Sequence, residues 1–451
     1  MPRRKSETKK VSAWLIAVDM GYGHQRAAYP LRHFAQRRQV ISANSYPGIP
    51  VRDRQYWRQG RKFYEFISLF TRIPVIGQKV FELYDRLQSI PQFYPRRDLS
   101  MPNLQLRQIY YLIKKKEWGK HLITYLNGSG IPIVTTFFVP AFMAEVHGYS
   151  GEIYCLATDS DISRAWVPLN PHTSRIKYFA PNLRVAERLK LYGVHADNII
   201  MTGFPLPEEN IGPDEAVLRS DFLQRLVNLD PQGKYRHAHG QTIQQHLAGR
   251  GVPAKSNHPL TIMFAVGGAG AQRDIGEQIL HSLKRKILKK NVRMVLVAGI
   301  HNAVNSYFRA AARRAGLGRE LDGYVKIIYA QNKNEYFKKF NAALRTTDIL
   351  WTKPSELSFY CALGLPIIIA PPIGSQEEFN KTWLTTIGSG IEQEDPRYTH
   401  QWLFDWLDSG WLAEAAMEGY IEAPRQGTGN IRNIVAGTPE RTEAPETISQ
   451  F

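Results

Sequence analysis

At 451 residues, with 43% apolar and 22% charged residues, the chain is too long for one ordinary core, and two soluble domains of roughly 200 residues each are expected. Only two cysteines occur, Cys155 and Cys361, both in apolar runs; a disulfide framework or Cys/His metal cluster is not expected, and a reducing cytoplasm is the default compartment. No run approaches the roughly 18 apolar residues of a spanning helix, so membrane contact is expected to be peripheral, while a net charge of +18 favours a polyanionic partner.

Residues 1–10 read as a disordered basic tail. A domain over 11–206 begins with the strand Trp14–Val18, which breaks into Asp19-Met20-Gly21-Tyr22-Gly23-His24 and a helix predicted over Ala28–Arg37. Helices follow at Gln59–Arg72, Ile76–Leu87 and Leu104–Lys116, then strands at Ile131–Phe138 and Ile153–Thr158 and a helix at Leu183–Tyr192. Residues 207–258 are polar and read as a linker with a partly helical insertion. A second alternating series over 259–422 runs from the strand Thr261–Val266 through helix Ile275–Leu288, strand Met294–Ala298, helix Ala303–Ala315, strand Val325–Tyr329, helix Glu335–Leu344, strand Ile349–Trp351, helix Leu357–Leu363 and strand Pro366–Ala370 to a helical end at Glu377–Met417. Residues 423–451, rich in Thr, Glu, Pro and Gly, are expected to be mostly disordered. Alternation of this kind predicts an α/β protein with two Rossmann-like domains facing a cleft.

Charge is uneven within the first domain. Between Arg52 and Lys120 there are 15 Lys and Arg against 6 Asp and Glu, a net of +9, interleaved with thirteen aromatic residues from Tyr56 to Trp118. Such a stretch suits an anionic membrane surface, with rings at the headgroup level and cations on phosphates. Nucleic acid is the less favoured partner, and a solvated face over a helical core is the plain alternative.

Four turns carry the chemistry. Gly21 and Gly23 permit positive φ and close backbone approach, and Asp19 and His24 are proton-transfer groups. The turn Gly267-Gly268-Ala269-Gly270-Ala271-Gln272 before a helix exposes backbone N–H groups suited to a diphosphate, although it has neither a Gly-Lys-Ser/Thr ending nor dinucleotide spacing. Lys353-Pro354-Ser355-Glu356 and Gly374-Ser375-Gln376-Glu377, with Asn380, each follow a strand and precede a helix, so that Ser355, Glu356, Gln376, Glu377 and Asn380 come to one sheet edge. There they can bind ribose or sugar hydroxyls, or simply cap helices.

The order Asp-x-Gly-x-Gly-His, Thr158-Asp159, Thr202-Gly203-Phe204-Pro205, a Gly-rich turn, Thr352-Lys353-Pro354 and Gln376-Glu377-x-x-Asn380 resembles the GT-B glycosyltransferases related to monogalactosyldiacylglycerol synthase and the processive diacylglycerol glucosyltransferases. The lipid II N-acetylglucosaminyltransferases are similar more distantly. The resemblance spans nearly all of residues 11–420. It implies a GT-B fold and an inverting, metal-independent sugar transfer from a nucleotide-diphosphate donor, a UDP-sugar, to a membrane-associated, lipid-like acceptor, with no cofactor. It assigns Asp19 or His24 as the base; Gly21, Gly23, Thr158 and Asp159 to the acceptor side; and Gly268, Ala269, Gly270, Gln272, Lys353, Ser355, Glu356, Gln376, Glu377 and Asn380 to the donor. The stretch 52–120 becomes the approach to lipid at the inner face of the membrane. Where these enzymes carry a ribose-binding Glu this chain has Cys361, with Glu356 as the candidate substitute. The alternative reading is a non-catalytic GT-B binder of nucleotide sugars or anionic surfaces.

Overall fold

The computed structural model describes residues 12–70, 90–247, 251–265, 270 and 272–437. Two parallel six-stranded sheets organise them. The first contains β1 (Ala13–Ala17), β2 (Ala35–Ser42), β3 (Ile133–Thr135), β4 (Ile153–Leu156), β5 (Lys177–Ala180) and β6 (Ile199–Met201), in the order β2-β1-β3-β4-β5-β6. The second contains β7 (Leu260–Ala265), β8 (Val292–Gly299), β9 (Val325–Tyr329), β10 (Ile349–Thr352), β11 (Ile367–Ile369) and β12 (Gly390–Glu392), in the order β12-β11-β10-β7-β8-β9. Helices cover both faces of each sheet, so inner strands such as β7 and β10 are buried along their whole length and read as unbroken apolar runs. Ligands of such sheets bind beyond the carboxyl ends of the strands where the order reverses, here between β1 and β3 and between β7 and β10. The expected α/β GT-B architecture is therefore present.

Several predicted elements differ. The helix expected over Ala28–Arg37 is a short helix, Gly23–Ala28, followed by a 3₁₀ turn, Tyr29–His33, and then β2. Pro30 lacks an N–H for a continuing helix. Arg37 and Arg38, with φ of 56° and 54°, form a bulge that shifts the pairing from Ala13–Ala35 to Leu15–Val40. The stretch read as a linker contributes to the second core: the helix Ala216–Leu229 buries Phe222, Leu226 and Leu229, and Arg225 donates to the carbonyls of Thr347 and Leu363 at 2.7 and 2.6 Å.

The tail expected to be mostly disordered from 423 is folded as far as 437. The helix Gly427–Val435 returns to the first domain, where Thr428 Oγ1 donates to Leu206 O at 2.6 Å and Asn430 to Thr202 O at 3.0 Å. Gly427 lies so close to the Phe204 carbonyl that a Cβ would not fit, which explains a glycine in the first turn of a helix. The basic tail 1–10, the predicted helix Ile76–Leu87 and residues 438–451 lie outside the described residues. Among the described residues no helix is long and apolar enough to cross a membrane.

Candidate active site

Both switch points open on one cleft between the domains. On the first-domain side β1 ends at Ala17 and the chain turns through Gly21, whose φ of +103° favours glycine. Gly23 has no positive φ. Its role is close approach, since a Cβ there would stand 3.1 Å from Glu356 Oε2 of the second domain. Asn44, just after β2, fixes the turn: its side-chain oxygen accepts from Asp19 N at 2.9 Å and its amide donates to Asp19 O at 3.1 Å. The Asp19 carboxylate is half-exposed and pairs with Lys333 of the second domain.

His24 opens the helix Gly23–Ala28 with its Nδ1 2.7 Å from Thr136 O, at the carboxyl end of β3, and 3.3 Å from Thr158 Oγ1. Burial pushes its pKa down to about 4, so the ring is neutral at pH 7. A neutral ring facing a carbonyl through Nδ1 carries its proton there, which leaves Nε2 as the basic nitrogen. Thr158 is buried at the end of β4. Its neighbour Asp159 is pushed up to about 6 by burial, against the opposing effect of a 3.3 Å hydrogen bond from Asn380 Nδ2. Asp161, two residues on, is claimed by arginines: Arg188 binds both oxygens at 2.9 and 2.8 Å and Arg184 adds a third contact at 2.9 Å.

On the second-domain side the β7 turn is described only in part. Gly268 and Ala269 lie outside the described residues; Gly270 has φ +68°, and Gln272 bridges to the β11 turn by donating to Pro371 O at 2.7 Å. Lys353, after β10, pairs with Glu377, whose other oxygen accepts from Ile373 N at 2.7 Å. Glu377 therefore ties Lys353 to the start of the helix Ser375–Thr386, where Gln376 is partly exposed. Ser355 stands at the N-cap of the 3₁₀ segment Glu356–Leu363, but its side chain makes no capping bond. Cys361, in the same segment, is fully buried, and burial pushes its thiol up to about 12.

Two of the donor-side candidates reach across the cleft. Glu356 Oε1 accepts from Arg26 Nε at 3.0 Å, and Asn380 Oδ1 accepts from Ser160 N at 2.8 Å. Arg26 itself was not singled out in the sequence. It is 2% exposed, its Nη2 donates to Tyr336 OH at 2.6 Å, and its guanidinium lies 4.3 Å from the centroid of Phe340. Tyr22 crosses too, accepting from Ile300 N at 3.0 Å. The signal for Arg26 and Tyr22 was in the motif: two bulky polar residues within a Gly- and Ala-rich turn. Nothing local marked Lys333, Tyr336, Thr136 or Asn44.

Two facing Rossmann-like sheets, with their switch points opening on one cleft, make a GT-B-type fold. Sequence comparison narrows this. The chain is similar to the processive diacylglycerol beta-glucosyltransferase of Bacillus subtilis (strain 168), 24% identical over 326 residues covering 70% of this chain and 67% of the relative. It is similar also to the enzyme of the same name from Bacillus licheniformis, 20% identical over 323 residues, 68% of this chain and 71% of that one. Residues 228–315 match a family described as Domain of unknown function (DUF6938). Among solved structures, Acinetobacter baumannii MurG aligns over 73% of this chain and 79% of its own, at 12% identity and a TM-score of 0.41.

Proposed function

We propose that the protein transfers a sugar, with inversion and without a metal, from a UDP-sugar to the hydroxyl of a lipid-type acceptor. The observation that carries this reading is that the turn after β1 and those after β10 and β11 meet across one cleft, Arg26 bonding Glu356 and Ser160 bonding Asn380. Asp19 is the better base of the two candidates. Asp19 lines an open cavity of about 380 Å³ with a half-exposed carboxylate, whereas His24 is held at Nδ1 by Thr136 O. The Asp19 carboxylate takes the acceptor proton as the acceptor oxygen bonds to the sugar C1. The bond from C1 to the diphosphate oxygen breaks on the opposite face, and UDP leaves with the electron pair. In this reading the dipole of the helix Arg273–Leu288, which follows β7, stabilises the developing charge. Lys333 must release Asp19 as the acceptor enters.

The basic region supports approach to an anionic membrane surface. Tyr94, Met101, Leu104 and Tyr111 are all more than half exposed, next to exposed Arg96, Arg97 and Arg107. A second reading, a GT-B binder without turnover, draws on Glu356 being paired with Arg26 rather than open to a ribose, and on the buried thiol at Cys361.

The test is calorimetric titration of the full chain with UDP, followed by incubation of radiolabelled UDP-glucose, UDP-galactose and UDP-N-acetylglucosamine with vesicles of phosphatidylglycerol and diacylglycerol. Binding of UDP and labelled lipid from one donor is expected, with label lost in Asp19→Asn. UDP binding without labelled lipid would leave the binder, and absent UDP binding would sink both readings.

A further inference from the structure

The helix Val51–Phe70 passes the carboxyl ends of β1 and β2 and walls the cavity on which Asp19 opens. The remaining lining is Asn44, Ser45, Arg54, Trp57 and Arg58. Residues 54, 57 and 58 are spaced to share one helix face, so both guanidiniums and the indole are presented together. Trp57 is a fixed wall, buried and edge-on to Trp118 at 4.8 Å between ring centroids. Asn44 is fixed by its two bonds to the Asp19 main chain.

The charge of this cavity is unbalanced. Its single carboxylate, Asp19, is already paired with Lys333, and among the described residues neither Arg54 nor Arg58 has an ion-pair partner. Two like charges four residues apart on a helix repel, and a bound anion relieves that repulsion. The planar forks of two arginines match phosphate oxygens, and the cavity is of a size usual for small-ligand sites. Both arginines are exposed and solvated, and a neutral glycerol headgroup would offer them no counter-charge.

We propose that the acceptor bears a phosphate close to its reacting hydroxyl, with Arg54 and Arg58 holding the phosphate while the hydroxyl faces Asp19. The acceptor class is then a phospholipid with a free headgroup hydroxyl, rather than the neutral diacylglycerol in the relatives' names. This rests on the transferase reading and sets its acceptor specificity.

Calorimetry on the full chain tests it with three probes: dihexanoyl phosphatidylglycerol below its micellar concentration, dihexanoylglycerol, and inorganic phosphate. The phospholipid is expected to bind at least tenfold tighter than dihexanoylglycerol and tighter than phosphate. Arg54→Gln/Arg58→Gln should lose that advantage. Lys289→Gln/Lys326→Gln, which removes the same charge from exposed positions of the second domain, should keep it. Equal affinity for the two lipids, no binding of either, or an unchanged double arginine variant overturns the proposal. Phosphate binding as tightly as the phospholipid overturns it as well, by showing an anion site with no lipid selectivity. Parallel UDP titrations of the same preparation keep the two ideas apart: loss of UDP binding alone counts against the transferase reading, while the lipid preference is still scored.

Discussion

Removing the carboxylate of Glu356 should destabilise the closed two-domain arrangement more than any other single change in the cleft. Arg26 is 2% exposed and inserts from the first domain among Tyr336, Phe337, Phe340 and Tyr360 of the second. Its guanidinium keeps three kinds of partner: Glu356 at 3.0 Å, Tyr336 OH at 2.6 Å and the ring faces, while Nη1 is buried without a hydrogen bond. Glu356→Ala strips the only carboxylate bonded to it among the described residues and leaves a buried cation, which costs about 3–5 kcal/mol in comparable sites. The aromatic contacts remain in the variant and place the loss near the lower end, about 3 kcal/mol. At 2–4 °C per kcal/mol for a unit of this size, melting should fall by roughly 6–12 °C.

The reciprocal changes set the sign. Arg26→Met removes the charge and leaves an apolar side chain among four rings, so it should cost less than Glu356→Ala. Arg26→Met/Glu356→Leu should recover most of the loss, a coupling of about 2 kcal/mol or more. Thermal melts of the four proteins at pH 7 measure the cycle. A fall below 2 °C for Glu356→Ala, or a double variant as unstable as the sum of its parts, would refute a structural ion pair. UDP titration separates the rival role: a ribose contact predicts weaker UDP binding in Glu356→Gln with no matching effect in Arg26→Met.

Two further outcomes follow from the same side of the cleft. Gly21→Ala meets no atom within 4 Å, so its cost is that of the left-handed backbone alone, about 1–2 kcal/mol by urea unfolding; Gly23→Val should cost a similar amount by displacing Glu356, and only Gly23→Val should lose its effect in an Arg26→Met/Glu356→Ala background. His24, held at about 4 against an ordinary 6.5, contributes stability that is present above pH 6.5 and lost as pH falls through 4. Asp159, raised to about 6 from 3.8, has the opposite sign, contributing stability below pH 3.8 that is lost as pH rises through 6. The two nearly cancel between pH 4 and 6. Asp159→Asn should therefore steepen the acid loss of stability and His24→Gln should flatten or reverse it; unfolding profiles parallel to the wild type would count against both shifts.

The sheet edges and the cleft were hidden in the sequence for different reasons. Inner strands announce themselves because both faces are buried: β7, β10 and β11 are continuous apolar runs, and the turns after them were legible as site segments. Edge strands need not be apolar. β6 and β12 are three residues each and partly exposed, and β2 carries Arg37, Arg38 and Gln39 through its bulge. The helix Gly427–Val435 was masked by composition, since its few apolar residues, Ile431, Ile434 and Val435, are interspersed with polar ones and its docking also needs a glycine at 427 to approach Phe204. In the cleft, each half-site is a local motif, but the partners are not. Arg26 and Glu356 are 330 residues apart, and Lys333 and Asp19 are 314 apart. No periodicity encodes such a pair. What the sequence did hold was the cue that a turn built of Gly, Ala and His also carried a long cation, and burying that cation against the opposite domain required a carboxylate there. Glu356 thus reads as the counter-charge that Arg26 demands, a role that needs no contact with the nucleotide.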